Sequence, residues 1–92
     1  MDPKQFEKIS KALGDPSRLM ILKEIRKKKQ NCLYCAEIYD KVHLTQPAIA
    51  HHIKLLTDAD LIFAEKEGRS VKYTLNNDVL DKYIQYVEAL KV

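Results

Sequence analysis

Long hydrophobic runs are missing from this 92-residue chain: its longest aliphatic run is Leu19-Met20-Ile21-Leu22, against the ~20 apolar residues that a bilayer-spanning helix needs. A charged leader followed by an apolar stretch is missing too, so the chain is expected to stay in the cytoplasm, with no membrane partner. Glycine is scarce, with only Gly14 and Gly68, which excludes the glycine-rich loops that cradle phosphates. No repeat, low-complexity tract or linker interrupts residues 1–92, and a chain of this size has apolar surface for one core only. A single domain is expected. Nor do His, Cys and carboxylate residues fall close together in a catalytic pattern, so an enzyme is not expected. Charge is not one-sided: 16 basic residues face 13 acidic ones, for a net +3. That balance permits a polyanionic partner without requiring one. The two cysteines, Cys32 and Cys35, would be reduced in the cytoplasm, where a metal or redox role is more plausible than a structural disulfide.

What is present is periodic. Asp2-Pro3 reads as an N-cap followed by a first-turn proline, and Phe6, Ile9 and Leu13 then share one helical face. Gly14 stops that helix, and Asp15-Pro16 starts a second by the same device, with Leu19, Leu22 and Ile25 as its expected buried stripe. Its end, Arg26-Lys27-Lys28-Lys29, suits the negative end of the helix dipole and is read first as a solvated terminus. A third, short helix is expected over Leu33 to Lys41, with Ile38 and Val42 inward. Thr45 then caps a fourth helix from Gln46 to Ala59, whose core face is Ile49, Ile53 and Leu56.

After Leu61 the period changes from helical to alternating. Val71, Tyr73 and Leu75 point one way and Ser70, Lys72 and Thr74 the other, with a partner strand over Ile62 to Lys66 and a turn at Glu67-Gly68-Arg69. A last helix begins near Asn77 or Asp78 and carries Leu80, Tyr83, Ile84, Val87 and Leu90. The expected fold is therefore mainly α with a β-hairpin: four helices, two strands and a helix, the winged helix-turn-helix plan.

Three stretches resemble the ArsR/SmtB family of bacterial and archaeal repressors, and the likeness covers nearly the whole chain. They are Ala12-Leu13-Gly14-Asp15-Pro16-Ser17-Arg18-Leu19-Met20-Ile21-Leu22, then Leu44-Thr45-Gln46-Pro47-Ala48-Ile49-Ala50-His51-His52-Ile53-Lys54-Leu55-Leu56, and Glu67-Gly68-Arg69-Ser70-Val71-Lys72-Tyr73-Thr74-Leu75. The resemblance implies a homodimeric repressor of transcription that binds double-stranded DNA. It also implies that Thr45, Gln46, Pro47, Ala48, Ala50 and His51 face DNA, although Ala50 stands where such proteins more often have serine. The resemblance places the dimer interface on the first and last helices, where the apolar residues Phe6, Ile9, Leu13, Tyr83, Val87 and Leu90 exceed what a compact winged core requires.

Chemistry points to the same face of the fourth helix. In a helix-turn-helix the second helix enters the major groove, so its outward side must carry donors and small contacts. Gln46, Pro47, Ala50, His51 and Lys54 lie opposite the apolar stripe. An amide such as Gln46 can both donate to and accept from adenine, while Ala50 and Pro47 permit close approach to a thymine methyl. In the hairpin, Lys66, Arg69 and Lys72 are candidate phosphate contacts, interrupted by Glu65 and Glu67. His52 is read as structural or DNA-facing.

For a switch, the ligand inventory is Cys32, Cys35, His43, His51 and His52. The family's zinc site on the last helix falls here on Asn77, Val79 and Leu90, and the chain ends before its last position, so that site is expected to be absent. The family's thiolate site at the third helix is usually Cys-x-Cys, whereas Cys32 and Cys35 are separated by two residues. Thiophilic metals (Zn, Cd, Cu or As), a reversible disulfide, or no cofactor at all remain open for this pair. The competing function is a winged-helix module that binds protein rather than DNA.

Overall fold

The structure, a computed structural model, describes residues 1–30 and 32–91. Elements follow in the order α1 (Pro3–Leu13), α2 (Pro16–Lys27), β1 (Cys32–Tyr34), α3 (Cys35–Lys41), α4 (Gln46–Asp58), β2 (Ile62–Glu67), β3 (Ser70–Leu75) and α5 (Asn77–Glu88). The expected winged helix-turn-helix is there. Both proline-led helix starts form as the sequence dictates: the Lys4 amide donates to Asp2 Oδ1 at 2.8 Å, and the Ser17 amide to Asp15 Oδ1 at 2.8 Å. Such caps satisfy amides that the first helical turn leaves without partners, each worth about 1 kcal/mol.

One strand was not expected. Cys32–Tyr34 pairs antiparallel with β3, in the register Cys32↔Thr74, Leu33↔Tyr73 and Tyr34↔Lys72. The sheet order is β1-β3-β2, so the third helix starts at Cys35, two residues later than its sequence pattern suggested. The reason lies in the edge of β3, whose free amides and carbonyls are satisfied by three residues of passing chain. Leu33, drawn onto the inner side of the sheet, is fully buried.

The core runs from Ile9 and Ala12 of α1 through Ile21 and Ile25 of α2 to Ile38 and Val42, then Ile49, Ile53 and Leu56 of α4, and closes on Leu61, Ile62 and Tyr73. Burying each large aliphatic side chain contributes about 1.5–3 kcal/mol. The second helix is rotated from the expected face: Ile21 joins Ile25 in the core, Leu22 is half-buried, and Leu19 is 39% exposed. Contact with both α4 on one side and the sheet on the other, rather than the strongest apolar run, sets that rotation.

The junction from α4 to the wing is held by backbone geometry. The Leu61 amide donates to the Leu56 carbonyl at 3.0 Å and the Asp60 amide to the Thr57 carbonyl at 2.9 Å, the double bond of a Schellman C-cap. Asp60 occupies its left-handed position, φ 60°, where glycine is usual. The side chain of Asn76, which also caps α5, donates to the Asp60 carbonyl at 2.9 Å and ties this corner to the start of α5. At the other end of β2, Gly68 takes φ 59° as the first residue of a two-residue hairpin turn, the position where type II′ turns call for glycine.

Candidate nucleic-acid interface

Helix α4 is built with one face in and one face out. Thr45 Oγ1 accepts the Ala48 amide at 3.3 Å, so the helix begins at the residue the sequence indicated. Ile49 and Leu56 are wholly buried and Ile53 nearly so. The opposite side leaves Thr45, Gln46, Pro47, Ala50, His51 and Lys54 exposed, with Ala48 half-buried at the edge. These seven candidates therefore share one connected outward surface of the second helix of the helix-turn-helix. Lys54 pairs with Asp58 one turn on, at 3.0 Å, with 73% and 52% of the side chains exposed. Exposed i, i+4 pairs of this kind contribute only a few tenths of a kcal/mol, so the lysine remains free to turn to a phosphate.

His52 points the other way. Its Nδ1 lies 3.2 Å from Nη1 of Arg18, whose Nε and Nη2 donate to the carbonyls of Ala12 at 2.8 Å and Lys11 at 2.9 Å. The structural reading of His52 is the one the fold adopts, while His51, its neighbour with ring centroids 5.9 Å apart, stays on the outer surface. The Arg18 contacts could not be read from sequence, because they depend on the crossing of α1, α2 and α4.

On the wing the three candidate cations differ. Lys66 and Arg69 are exposed and make no ion pair among the described residues. Lys72 instead lies 24% exposed on the outer sheet face, 2.9 Å from Glu67 and 3.6 Å from Glu65. Tyr34 of β1 donates its hydroxyl to Glu67 at 2.8 Å. The bond from Lys72, and then that from Tyr34, holds the Glu67 carboxyl below its ordinary range, while Glu67 and Glu65 raise the Lys72 ammonium above its own. Lys72 and Arg69, alike as candidates from sequence, thus differ in surroundings: Lys72 is drawn across the hairpin to Glu65 and Glu67 of β2, whereas Arg69 pairs with no carboxylate among the described residues.

Cys32 and Cys35 are half-buried free thiols. Cys32 lies on the outer sheet face, near Lys72 and Tyr34. Cys35 begins α3, beside Tyr39 and near Tyr73 of the inner face. The step from β1 into α3 therefore gives the two thiols different surroundings. Among the described residues no three His, Cys, Asp or Glu side chains converge on a point that could hold a metal ion.

The terminal helices pack on each other through aromatics. Phe6 stacks on Tyr83 with centroids 5.2 Å apart and meets Tyr86 at 4.6 Å, and Ser10 Oγ and Tyr83 Oη share a hydrogen bond of 2.9 Å. Beyond this contact Ile84 is 50%, Val87 39% and Leu90 67% exposed. Of the residues expected to meet a partner, Ile9 is corrected: it is 0% exposed inside its own subunit. Its apolar period with Phe6 and Leu13 could not tell an inward from an outward position. Leu13 is half-buried. No helix among the described residues is long and apolar enough to cross a membrane.

Comparison with known proteins gives the same picture. A family model described as a helix-turn-helix domain matches residues 13–62. A helix-turn-helix-type transcriptional regulator of Methanocaldococcus jannaschii, itself uncharacterized, is 38% identical over 82 residues, covering 89% of this chain and 90% of that protein. The arsenical resistance operon repressor of Staphylococcus xylosus is 33% identical over 92 residues, 98% of this chain and 84% of that one. Among solved structures, an ArsR-like transcriptional regulator from Rhodococcus sp. RHA1 superposes with a TM-score of 0.83 at 23% identity, over 95% of this chain and 79% of that one, a likeness of fold.

Proposed function

The chain belongs to the ArsR family of winged helix-turn-helix DNA-binding transcriptional regulators, which are not enzymes, and from that premise we propose that it represses transcription as a homodimer reading two half-sites of a palindrome. The observation that carries the reading is the outward face of α4: Gln46, Pro47, Ala50, His51 and Lys54 are all exposed beside a fully used apolar stripe. A helix with that surface can lie in a major groove at no cost to its own core. In this reading Gln46 hydrogen-bonds a base edge, Pro47 and Ala50 allow close approach, and Thr45, Ala48, His51 and Lys54 complete the contact with backbone and groove wall. Lys66 and Arg69 follow the phosphates from the wing.

One recognition helix and a net charge of +3 give modest affinity alone, and linking two copies multiplies it. The surface that supports pairing is Val87 and Leu90, joined by Ile84, with Phe6, Leu13 and Tyr83 behind them. Selection of binding duplexes from a random pool, followed by anisotropy titrations at several salt concentrations, tests both parts. The expected result is an inverted repeat with half-site centres about one helical turn apart, 10–10.5 base pairs, and an affinity that falls steeply with salt. If no duplex binds in a salt-sensitive way, the protein-binding module takes its place.

Release of DNA through thiol chemistry is the finer part of the proposal. Because the two thiols have different neighbours, it takes the form of a change at Cys35, at the start of α3, the helix whose end leads through the turn into α4, whether by oxidation or by a thiophilic metal. Duplex affinity of Cys35→Ser is expected to lose any response to peroxide or Zn while Cys32→Ser keeps it. An unaltered response in Cys35→Ser would remove this part and leave DNA binding standing.

A further inference from the structure

We propose that the groove between α1 and the C-terminal half of α4 binds a small organic anion with an apolar body, and that its occupancy reaches the recognition helix through Arg18. The proposal rests on the DNA-binding reading for its consequence, though not for the site. The groove has a volume of ≈ 300 Å³, at the small end of the range of ligand pockets. Ala12, Leu55 and Ala59 line its apolar part, and Lys8, Lys11 and Arg18 bring positive charge to it.

The charges are placed for an anion. Lys8 makes no ion pair among the described residues. Lys11 is held only by Glu7 at 2.9 Å, with 77% and 65% of the two side chains exposed, and Asp58, the one carboxylate on the rim, is already paired with Lys54. An exposed ion pair opens at little cost, so both lysines are available to a carboxylate whose hydrocarbon part covers Ala12, Leu55 and Ala59, and the three cations of the lining outnumber Asp58 even with Lys54 turned away.

Arg18 makes the groove more than a dent. Its side chain is 12% exposed, fixed by the carbonyls of Ala12 and Lys11 at the end of α1, and its Nη1 is turned to His52 of α4 at 3.2 Å, with Asp15 Oδ2 more distant at 3.9 Å. One guanidinium thus joins the groove wall, the end of α1 and the helix that carries His51. A carboxylate in the groove offers Nη1 an acceptor of full opposite charge, in competition with the His52 ring nitrogen. Occupancy then frees His52 and loosens the seat of α4 between α1 and α2, so ligand and DNA disfavour each other.

The probe is benzoate, with neutral benzamide as its shape control, titrated into the nitrogen-labelled full chain. Benzoate is expected to shift the amide resonances of Ala12, Leu55 and Ala59 saturably, benzamide to leave them in place, and Lys8→Gln/Lys11→Gln to abolish the shifts without changing the melting temperature. Saturating benzoate is expected to lower duplex affinity by about fivefold or more, the low end of ordinary coupling between sites, and Arg18→Lys to remove that response. Equal shifts with benzamide, or unchanged benzoate binding in the double variant, would overturn the site. Benzoate binding at the groove with undiminished duplex affinity would overturn the coupling. Duplex affinity without benzoate reads the DNA-binding proposal separately, so the two can fail independently.

Discussion

Helices α4 and α5 are nearly equal in length, 13 and 12 residues, yet they place their apolar residues in opposite ways. In α4 Ile49, Ile53 and Leu56 face the subunit's own core and polar or small side chains face out. In α5 no residue is buried, and Ile84 and Val87 stand in solvent with Leu90 just beyond the helix. An outward face of polar and small side chains suits a groove lined by hydrogen-bonding base edges, whereas an outward apolar stripe of this kind marks a surface that another protein surface covers. The two helices thus divide the proposed work, α4 for DNA and α5 for the second subunit.

The largest effect should come from breaking the second half of that division. Val87→Glu with Leu90→Glu places charges on the apolar stripe while leaving the core untouched. It is expected to give a folded monomer by sedimentation and to lower affinity for a palindromic duplex by about 10²-fold or more, the usual scale of lost bivalency. A dimer that survives the double substitution would move the interface elsewhere.

Within α4 the two faces should separate stability from specificity. Leu56→Ala, in the core, is expected to cost about 2–5 kcal/mol in denaturant unfolding. Gln46→Ala, on the outer face, should leave unfolding unchanged and reduce discrimination between cognate and mismatched bases by about 1–3 kcal/mol. A stability loss in Gln46→Ala would mean that this face is used internally after all.

The smallest and most discriminating comparison is on the wing. Arg69→Ala should weaken binding to all duplexes alike and lower the salt slope by about 0.9. Lys72→Ala should leave the slope nearly intact and act on the hairpin. The Glu67 carboxyl titrates below its ordinary 4.5 and Lys72 above its ordinary 10.5. Their pairing is therefore fully present between those two values, lost as pH falls through the lowered Glu67 value and lost again as pH rises through the raised Lys72 value. Melting of Lys72→Ala should accordingly differ from the parent near neutral pH and converge with it in acid. An equal change of salt slope in the two variants would show that Lys72 reaches DNA as well.

Much of this was legible in the chain itself. Asp-Pro starts, the Thr45 cap, the i, i+4 pair of Ile49 and Ile53, and the alternation from Ser70 to Leu75 are local signals, and local backbone physics obeys them. The outward set on α4 was legible for the same reason, since fixing one face of a helix fixes the other. What failed were statements that depend on neighbours distant in sequence. Leu33 entered a strand because the edge of β3 was free, α2 turned Ile21 inward because it is gripped from two sides, and Ile9 proved to be core. A bare charge count also could not tell Arg69 from Lys72.

The sequence by itself thus determined the elements, their order and the face that α4 turns outward, because hydrogen-bond period and apolar period act over a few residues. Only the tertiary structure decided which charges remain free, which thiols share a neighbourhood and which arginine joins α1 to α4. Those depend on distances between segments that chain length alone does not constrain.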